Sequence, residues 1–190
     1  MLEELVLRTR SYRTFDESCP ITRQDMLALV DLARRTASGM NRQPLRYRIV
    51  TLPEELELMY ANARYASALS VKLPPEGQKP TGFILLFTDN EANSPDALAL
   101  KDVGIAAQTI LLAATERGFG GCMLGSFDAA RLCADFHVPA RYVPRLAIAL
   151  GKPAEQVRLT EAADAAHLCY YRDENNVHYV PKLSLEDILL

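Results

Sequence analysis

The 190-residue chain has no tryptophan, three histidines and four cysteines, and each scarcity excludes something. Cys19, Cys122, Cys133 and Cys169 form no CxxC pair, and no histidine stands at ligand spacing from them, so no metal site is expected. The cysteines are too sparse for a disulfide framework. They read as thiols in a reducing compartment, mostly packing residues, and the expected location is cytoplasmic. His137, His167 and His178 are late and scattered, and neither HExxH nor GxSxG occurs, so no nucleophile or zinc-protease constellation emerges. No apolar run approaches the ~20 residues of a membrane-spanning helix. The opening MLEELVLRTR lacks the apolar stretch and cleavage site of a signal peptide. A net charge of -3 argues against nucleic-acid or anionic-membrane partners. Repeats and low-complexity segments are missing too.

What remains is ordinary globular composition, 49% hydrophobic and 24% charged, consistent with one domain over residues 1–190. Leu2, Leu5 and Val6 suggest a short amphipathic helix over 2–10. A clearer helix begins at Thr22, where TRQD forms a capping box, continues through Met26, Leu27, Leu29, Val30 and Ala33, and is expected to stop at Gly39. LRYRIVT alternates as a strand from Leu45. PEELELMYANARYASALS opens with proline and acids, as a helix does. Residues 70–80 read as a loop before the buried strand GFILLFTD. The longest helical pattern, DALALKDVGIAAQTILLAATERG, carries Gly104, which suggests close packing against another helix, and ends at Gly118. FGGCMLGSF is strand-like, DAARLCADF a small helix started by Asp128, and PRLAIALG an apolar strand. Residues 152–183 look irregular, with strand-like CYY and VHYV, before the capped turn SLEDILL. Interleaved helices and strands give an α/β or α+β class with a sheet covered on both faces. The tail has apolar residues but little periodicity, which suits burial against a partner subunit.

Three polar-to-apolar junctions hold candidate chemistry. RTRSYRTF (8–15) groups Arg8, Arg10 and Arg13 with Ser11, a donor set suited to phosphate, although spacing alone favours a solvated basic face. SGMNRQPLRYRIV (38–50) offers the amides of Asn41 and Gln43 behind Ser38 and Gly39, suited to a planar heterocycle or a polyol; a helix end plus turn explains it on spacing alone. GFGGCMLGSF places four glycines around a strand, suggesting close backbone approach by a ligand or simply a tight helix-to-strand connection. It is neither GxGxxG nor a P-loop. If the chain is an enzyme, its hard chemistry belongs to a bound organic cofactor.

Taken in order and at these separations, RTRSYRTF, SGMNRQPLRYRIV and ERGFGGCMLGSFD resemble the FMN-dependent nitroreductase family, from about Leu5 to the C-terminal YVPKLSLEDILL. The resemblance implies an α+β fold: a nitroreductase-like three-layer sandwich, a mixed sheet flanked by helices, with the C-terminal arm exchanged in a homodimer. It implies FMN at the subunit interface and NADH or NADPH as electron donor. Arg10, Ser11, Arg13 and Lys182 would then bind the flavin phosphate and ribityl chain. Ser38, Gly39 and Asn41 would reach the flavin from the other subunit. Met123, Leu124, Gly125 and Ser126 would lie along the ring, the Gly125 amide facing the nitrogen that receives hydride and favouring the electron-rich reduced flavin. No side-chain acid or base is required for ping-pong hydride transfer to a nitroaromatic, quinone or similar small-molecule acceptor. A flavin carrier of little turnover, and a reductive dehalogenase or flavin oxidase variant, are the competing expectations. Thr9, Ala37, Leu45 and Leu183 depart from the family pattern, Thr9 by replacing a common basic residue.

Overall fold

A computed structural model describes residues 1–65 and 72–190. Its centre is a pair of antiparallel strands, β3 (Gly82–Asp89) and β5 (Tyr142–Pro153). Every residue of β3 is buried, and the two-residue period of a strand sends its side chains into two separate cores. Ile84 and Leu86 join Ile148 and Leu150 of β5 on one face. Phe83, Leu85 and Phe87 join Ala147 and Ala149 on the other. Fully burying such side chains contributes ~1.5–3 kcal/mol each, which is why β3 reads as one continuous apolar run.

β2 (Leu45–Val50) pairs with β3, β4 (Gly120–Leu124) pairs with β5, and the short β1 (Phe15–Asp16) pairs with the end of β5. These pairings are antiparallel, and a parallel bridge between Ser11 and Gly121 makes the sheet mixed. On the first face lie α2 (Arg23–Ala33) and α4 (Asp96–Glu116), through Met26, Leu29, Ala106 and Ile110. On the second lie α3 (Pro53–Asn62) and α5 (Ala129–Asp135), through Met59 and Leu132. The result is the α+β three-layer sandwich. α4 is long and apolar enough to cross a membrane by length and composition, but Val103, Ala107 and Ala114 pack into the first core, which accounts for that composition.

Helix starts follow local chemistry. The Thr22 hydroxyl accepts from the Asp25 amide (3.1 Å) while the Asp25 carboxylate accepts from the Thr22 amide (3.3 Å). Asp128 accepts from the Arg131 amide (3.0 Å), and Ser184 caps α6 (Leu185–Ile188) in a second capping box. Such caps are worth ~1 kcal/mol.

Helix ends depart from expectation. α2 stops at Ala33, not at Gly39, because the Thr36 hydroxyl donates to the Ala33 carbonyl (2.7 Å) and turns the chain early. Gly39 instead opens a 3-10 turn, Gly39–Asn41. α3 stops at Asn62, whose buried amide spans the Asp128 backbone, donating to its carbonyl (3.0 Å) and accepting from its N–H (2.8 Å). The end of the expected α3 segment, and residues 70–71 of the expected loop, lie outside the described residues. Among the described residues nothing packs within 4 Å of a Cβ placed at Gly104, so no close helix contact is made there. Gly118 does end α4, in a left-handed conformation (φ 79°) that glycine adopts freely.

The tail is more ordered than its sequence suggests. The expected strand pieces appear as β7 (Tyr171–Arg172) and β8 (His178–Lys182), joined by β6 (Val157–Glu161), which runs parallel to β8. Glu155 clasps this unit to the N-terminal segment. Its carboxylate, 3% exposed, accepts from the Arg13 amide, the Thr14 amide (3.0 Å) and the Arg172 guanidinium.

Candidate functional site

Residues 10–13 are laid against β4. The Tyr12 amide donates to the Gly121 carbonyl (3.0 Å), and Ser11 bridges Gly121. Gly120 makes room for this packing, and Gly121 for the neighbouring β5. A Cβ on Gly121 would strike the Ala149 carbonyl oxygen, and one on Gly120 would strike the Tyr12 ring. The Glu155 clasp brings β8 to the same place.

The outcome is a cavity of about 340 Å³ whose walls include Arg10, Ser11, Arg13, Met123, His178 and Lys182. No carboxylate lines it, in a chain of net charge -3. Arg10 donates to the Val6 carbonyl, and Arg13 Nη1 donates to the Ser11 carbonyl (3.1 Å). Among the described residues the buried Nε atoms of both arginines have no hydrogen-bond partner. Among the described residues neither arginine, nor Lys182, forms an ion pair with a carboxylate. Burial holds the Arg10 guanidinium below its ordinary pKa, partly opposed by Tyr12. Unpaired, partly desolvated cations are costly, and an anion with several acceptor oxygens would satisfy them together. The arrangement can therefore take a phosphate or similar oxyanion.

His178 belongs to this cavity and its sequence context gave no sign of it. It is 1% exposed, and its Nε2 lies 3.2 Å from Arg13 Nη1. Burial first, then Arg13 and Arg172, hold its pKa down to about 4, so the ring is neutral at neutral pH. Tyr170, also missed, places its ring 5.2 Å from the Arg13 guanidinium. Arg8 points elsewhere, pairing with Glu4 at 3.5 Å. Thr9 lines the wall but turns its hydroxyl inward, donating to the Leu5 carbonyl (2.6 Å).

Met123 faces the cavity, whereas the Leu124 side chain is buried in the second core and offers only its backbone. Gly125 and Ser126 are exposed just beyond β4, and among the described residues a Cβ on Gly125 would meet nothing within 4 Å. They line a second cavity of about 460 Å³ with Arg64 and Arg131.

Within the protomer Ser38, Gly39 and Asn41 do not join the cation cavity. The Ser38 hydroxyl donates to Asp102 (2.7 Å), as does the Gly39 amide (3.0 Å). Asn41 accepts from the Gln43 side chain (3.1 Å). Asp102, buried on α4, is thus the anchor of the loop, and it stands ~9 Å along the helix from Gln108, which lines the cation cavity. Met40, Asn41 and Gln43 all have positive φ (52°, 52° and 49°), an uncommon cluster for residues other than glycine. Such local strain concentrates at functional sites.

Comparison with known proteins gives a consistent picture. The model of the Nitroreductase family matches residues 6–152. YodC of Bacillus subtilis (strain 168), provisionally named an NAD(P)H nitroreductase, is 25% identical over 183 residues, covering 80% of this chain and 91% of that protein. A crystal structure from Staphylococcus epidermidis, provisionally named an NAD(P)H:FMN oxidoreductase, superposes with a TM-score of 0.75 at 19% identity, covering 100% of this chain and 95% of that one. A second from Desulfovibrio desulfuricans, provisionally named a nitroreductase and in complex with FMN, gives 0.72 at 24% identity, covering 90% and 96%.

Proposed function

Because the chain belongs to the nitroreductase family, we propose that it is an FMN-dependent oxidoreductase that takes reducing equivalents from NADH or NADPH and delivers them to a small organic acceptor such as a nitroaromatic or quinone. The observation that carries this reading is the carboxylate-free cavity lined by Arg10, Arg13 and Lys182, none of which forms an ion pair with a carboxylate among the described residues. Those donors fit the terminal phosphate of FMN. When bound, FMN supplies the ring that accepts and returns hydride.

The chain's own residues bind and orient. Arg10, Ser11, Arg13 and Lys182 hold the phosphate. Met123 and the backbone from Leu124 to Ser126 lie beside the ring, toward which the Gly125 amide donates. We further assign the Ser38–Asn41 loop to a second copy of the chain, since its own protomer holds it away from the cation cavity. Homodimer formation is supported by apolar surface on α4, where Leu100 (48% exposed) and Ile105 (42%) flank the open Gly104. It is supported again by the exposed Leu185, Ile188 and Leu189 at the C-terminus. Small residues let a second helix approach closely.

The test is anaerobic spectroscopy. Purified protein given FMN should retain a yellow chromophore that bleaches on adding NADH or NADPH and recolours with a quinone. Protein that stays colourless after gel filtration refutes the reading. A carrier of little turnover is the second reading, favoured by Thr9, whose inward hydroxyl leaves the cavity without the cation common at that place. Tight FMN binding with reduction no faster than free FMN would select it.

A further inference from the structure

We propose that Asp102 is a positioning residue that acts across the dimer: from inside one protomer it holds the Ser38–Asn41 loop in the shape that the other protomer's flavin site receives. This rests on the flavin reading above, and it makes one buried acid of each chain a support of the other chain's site.

The loop is seated on one face of α4. Leu98 and Asp102 stand four residues apart on that helix, so they lie one above the other. Gly39 packs so closely on Leu98 that a Cβ would strike its Cγ. Asp102 is 4% exposed, and among the described residues its carboxylate accepts from this loop alone, one oxygen from the Ser38 hydroxyl and the other from the Gly39 amide. A hydroxyl has a single proton. Because Ser38 gives that proton to Asp102, its oxygen is turned to accept from the Gln43 amide (3.0 Å). Asp102 thus fixes the direction of the hydroxyl and, through it, closes the turn from Ser38 to Gln43. The same turn contains the three residues of positive φ, Met40, Asn41 and Gln43. Such backbone persists only where its surroundings over-determine it, and the carboxylate supplies that constraint. A buried carboxylate held by neutral donors is itself costly, so packing alone does not account for an acid here. The same helix also lines the cation cavity of its own protomer, through Gln108 and Leu111. Gln108 lies ~9 Å along the axis from Asp102 and roughly 120° around it. One helix therefore carries a wall of its own cavity on one side and, on another, the loop offered to a second copy.

Mixed dimers test this. Asp102→Ala removes the anchor, and Arg13→Ala removes a cation of the cavity. In a dimer with one protomer of each kind, one site takes both defects. The other takes neither, because its cavity comes from the Asp102→Ala protomer and its loop from the Arg13→Ala protomer. Dimers purified through two different tags are titrated with riboflavin and FMN by flavin fluorescence. The Asp102→Ala homodimer should weaken both flavins alike, roughly tenfold or more, whereas Arg13→Ala weakens FMN selectively. Asp102→Asn, which keeps an oxygen for the Gly39 amide, should recover part of the loss. The mixed dimer should bind one FMN with wild-type affinity. A mixed dimer without a wild-type site, or an Asp102→Ala homodimer that binds flavin as the wild type does, overturns the assignment. Should Asp102→Ala not fold, Asp102→Asn takes its place in the mixed dimer; failure of both to fold makes Asp102 a residue of the fold alone and overturns the assignment equally. Wild-type protein that binds no flavin refutes the flavin reading itself, whereas wild-type protein that binds flavin, with no recovery in mixed dimers, refutes only this inference.

Discussion

Glu155→Gln should be the most destabilising conservative change in the tail. The Glu155 carboxylate is 3% exposed and its partner Arg172 12% exposed, so neither charge is screened by solvent. One carboxylate oxygen accepts from the Arg13 and Thr14 amides and the other from Arg172. Glutamine keeps the shape and one accepting oxygen, but it turns an N–H₂ toward the guanidinium. The buried Arg172 is then left facing a donor. Removing one partner of a buried ion pair costs about 3–5 kcal/mol. For a chain of this size that corresponds to a fall of roughly 6–20 °C in Tm. The mechanism makes a sharper claim through a second variant. Replacing the orphaned arginine as well, Glu155→Gln with Arg172→Leu, should recover at least half of the loss, because the penalty lies in the stranded charge. Thermal melts by circular dichroism on the wild type, the single and the double variant are sufficient. A single variant within 2 °C of wild type, or a double variant no better than the single, would refute a buried clasp between the tail and residues 13–14.

Three further outcomes follow from the same structure. Arg13→Ala should weaken FMN binding by about 1.5–3 kcal/mol, the worth of one charged hydrogen bond, and riboflavin far less, as fluorescence titration would read. Gly121→Ala should cost ~1–3 kcal/mol by overpacking against the Ala149 carbonyl, whereas Gly125→Ala should leave Tm within about 2 °C, since open space surrounds it; equal melts would contradict the distinction. Acid should destabilise the protein through His178. Its folded pKa, about 4, lies below the ordinary 6.5, so the unfolded chain takes up the proton first. Stability should therefore fall as pH drops from 6.5 toward 4, and the slope should be shallower in His178→Phe when denaturant melts are compared across that range.

The cues that sequence reading caught were local. Thr22, Asp128 and Ser184 announce helix starts because a capping side chain bonds within three residues of itself. The continuous apolar run of β3 is legible because both its faces are buried. The grouping of Arg10, Ser11 and Arg13 is visible in the sequence, but spacing alone favours a solvated face, and only the ordered set of three motifs marks it as a site. Other features depend on contacts across the chain. The end of α2 is set by Thr36, while Gly39 serves close contact with the Leu98 side chain instead. Asp102 of α4, which nothing in its local sequence marks, is the anchor of a loop more than sixty positions earlier. His178 and Glu155 acquire their roles only when β8 folds back on residues 10–14, a pairing with no local periodicity to announce it. Gly104 read as a packing site and faces open space in the protomer. Its role, if a second copy covers α4, is visible only in the assembly.

The most direct measurement is a crystal structure of the purified protein grown with FMN. The account predicts the flavin phosphate among Arg10, Arg13 and Lys182, with the Ser38–Asn41 loop of a second copy beside the ring. A phosphate bound elsewhere, or a lone protomer whose cavity stays free of the cofactor, would contradict it.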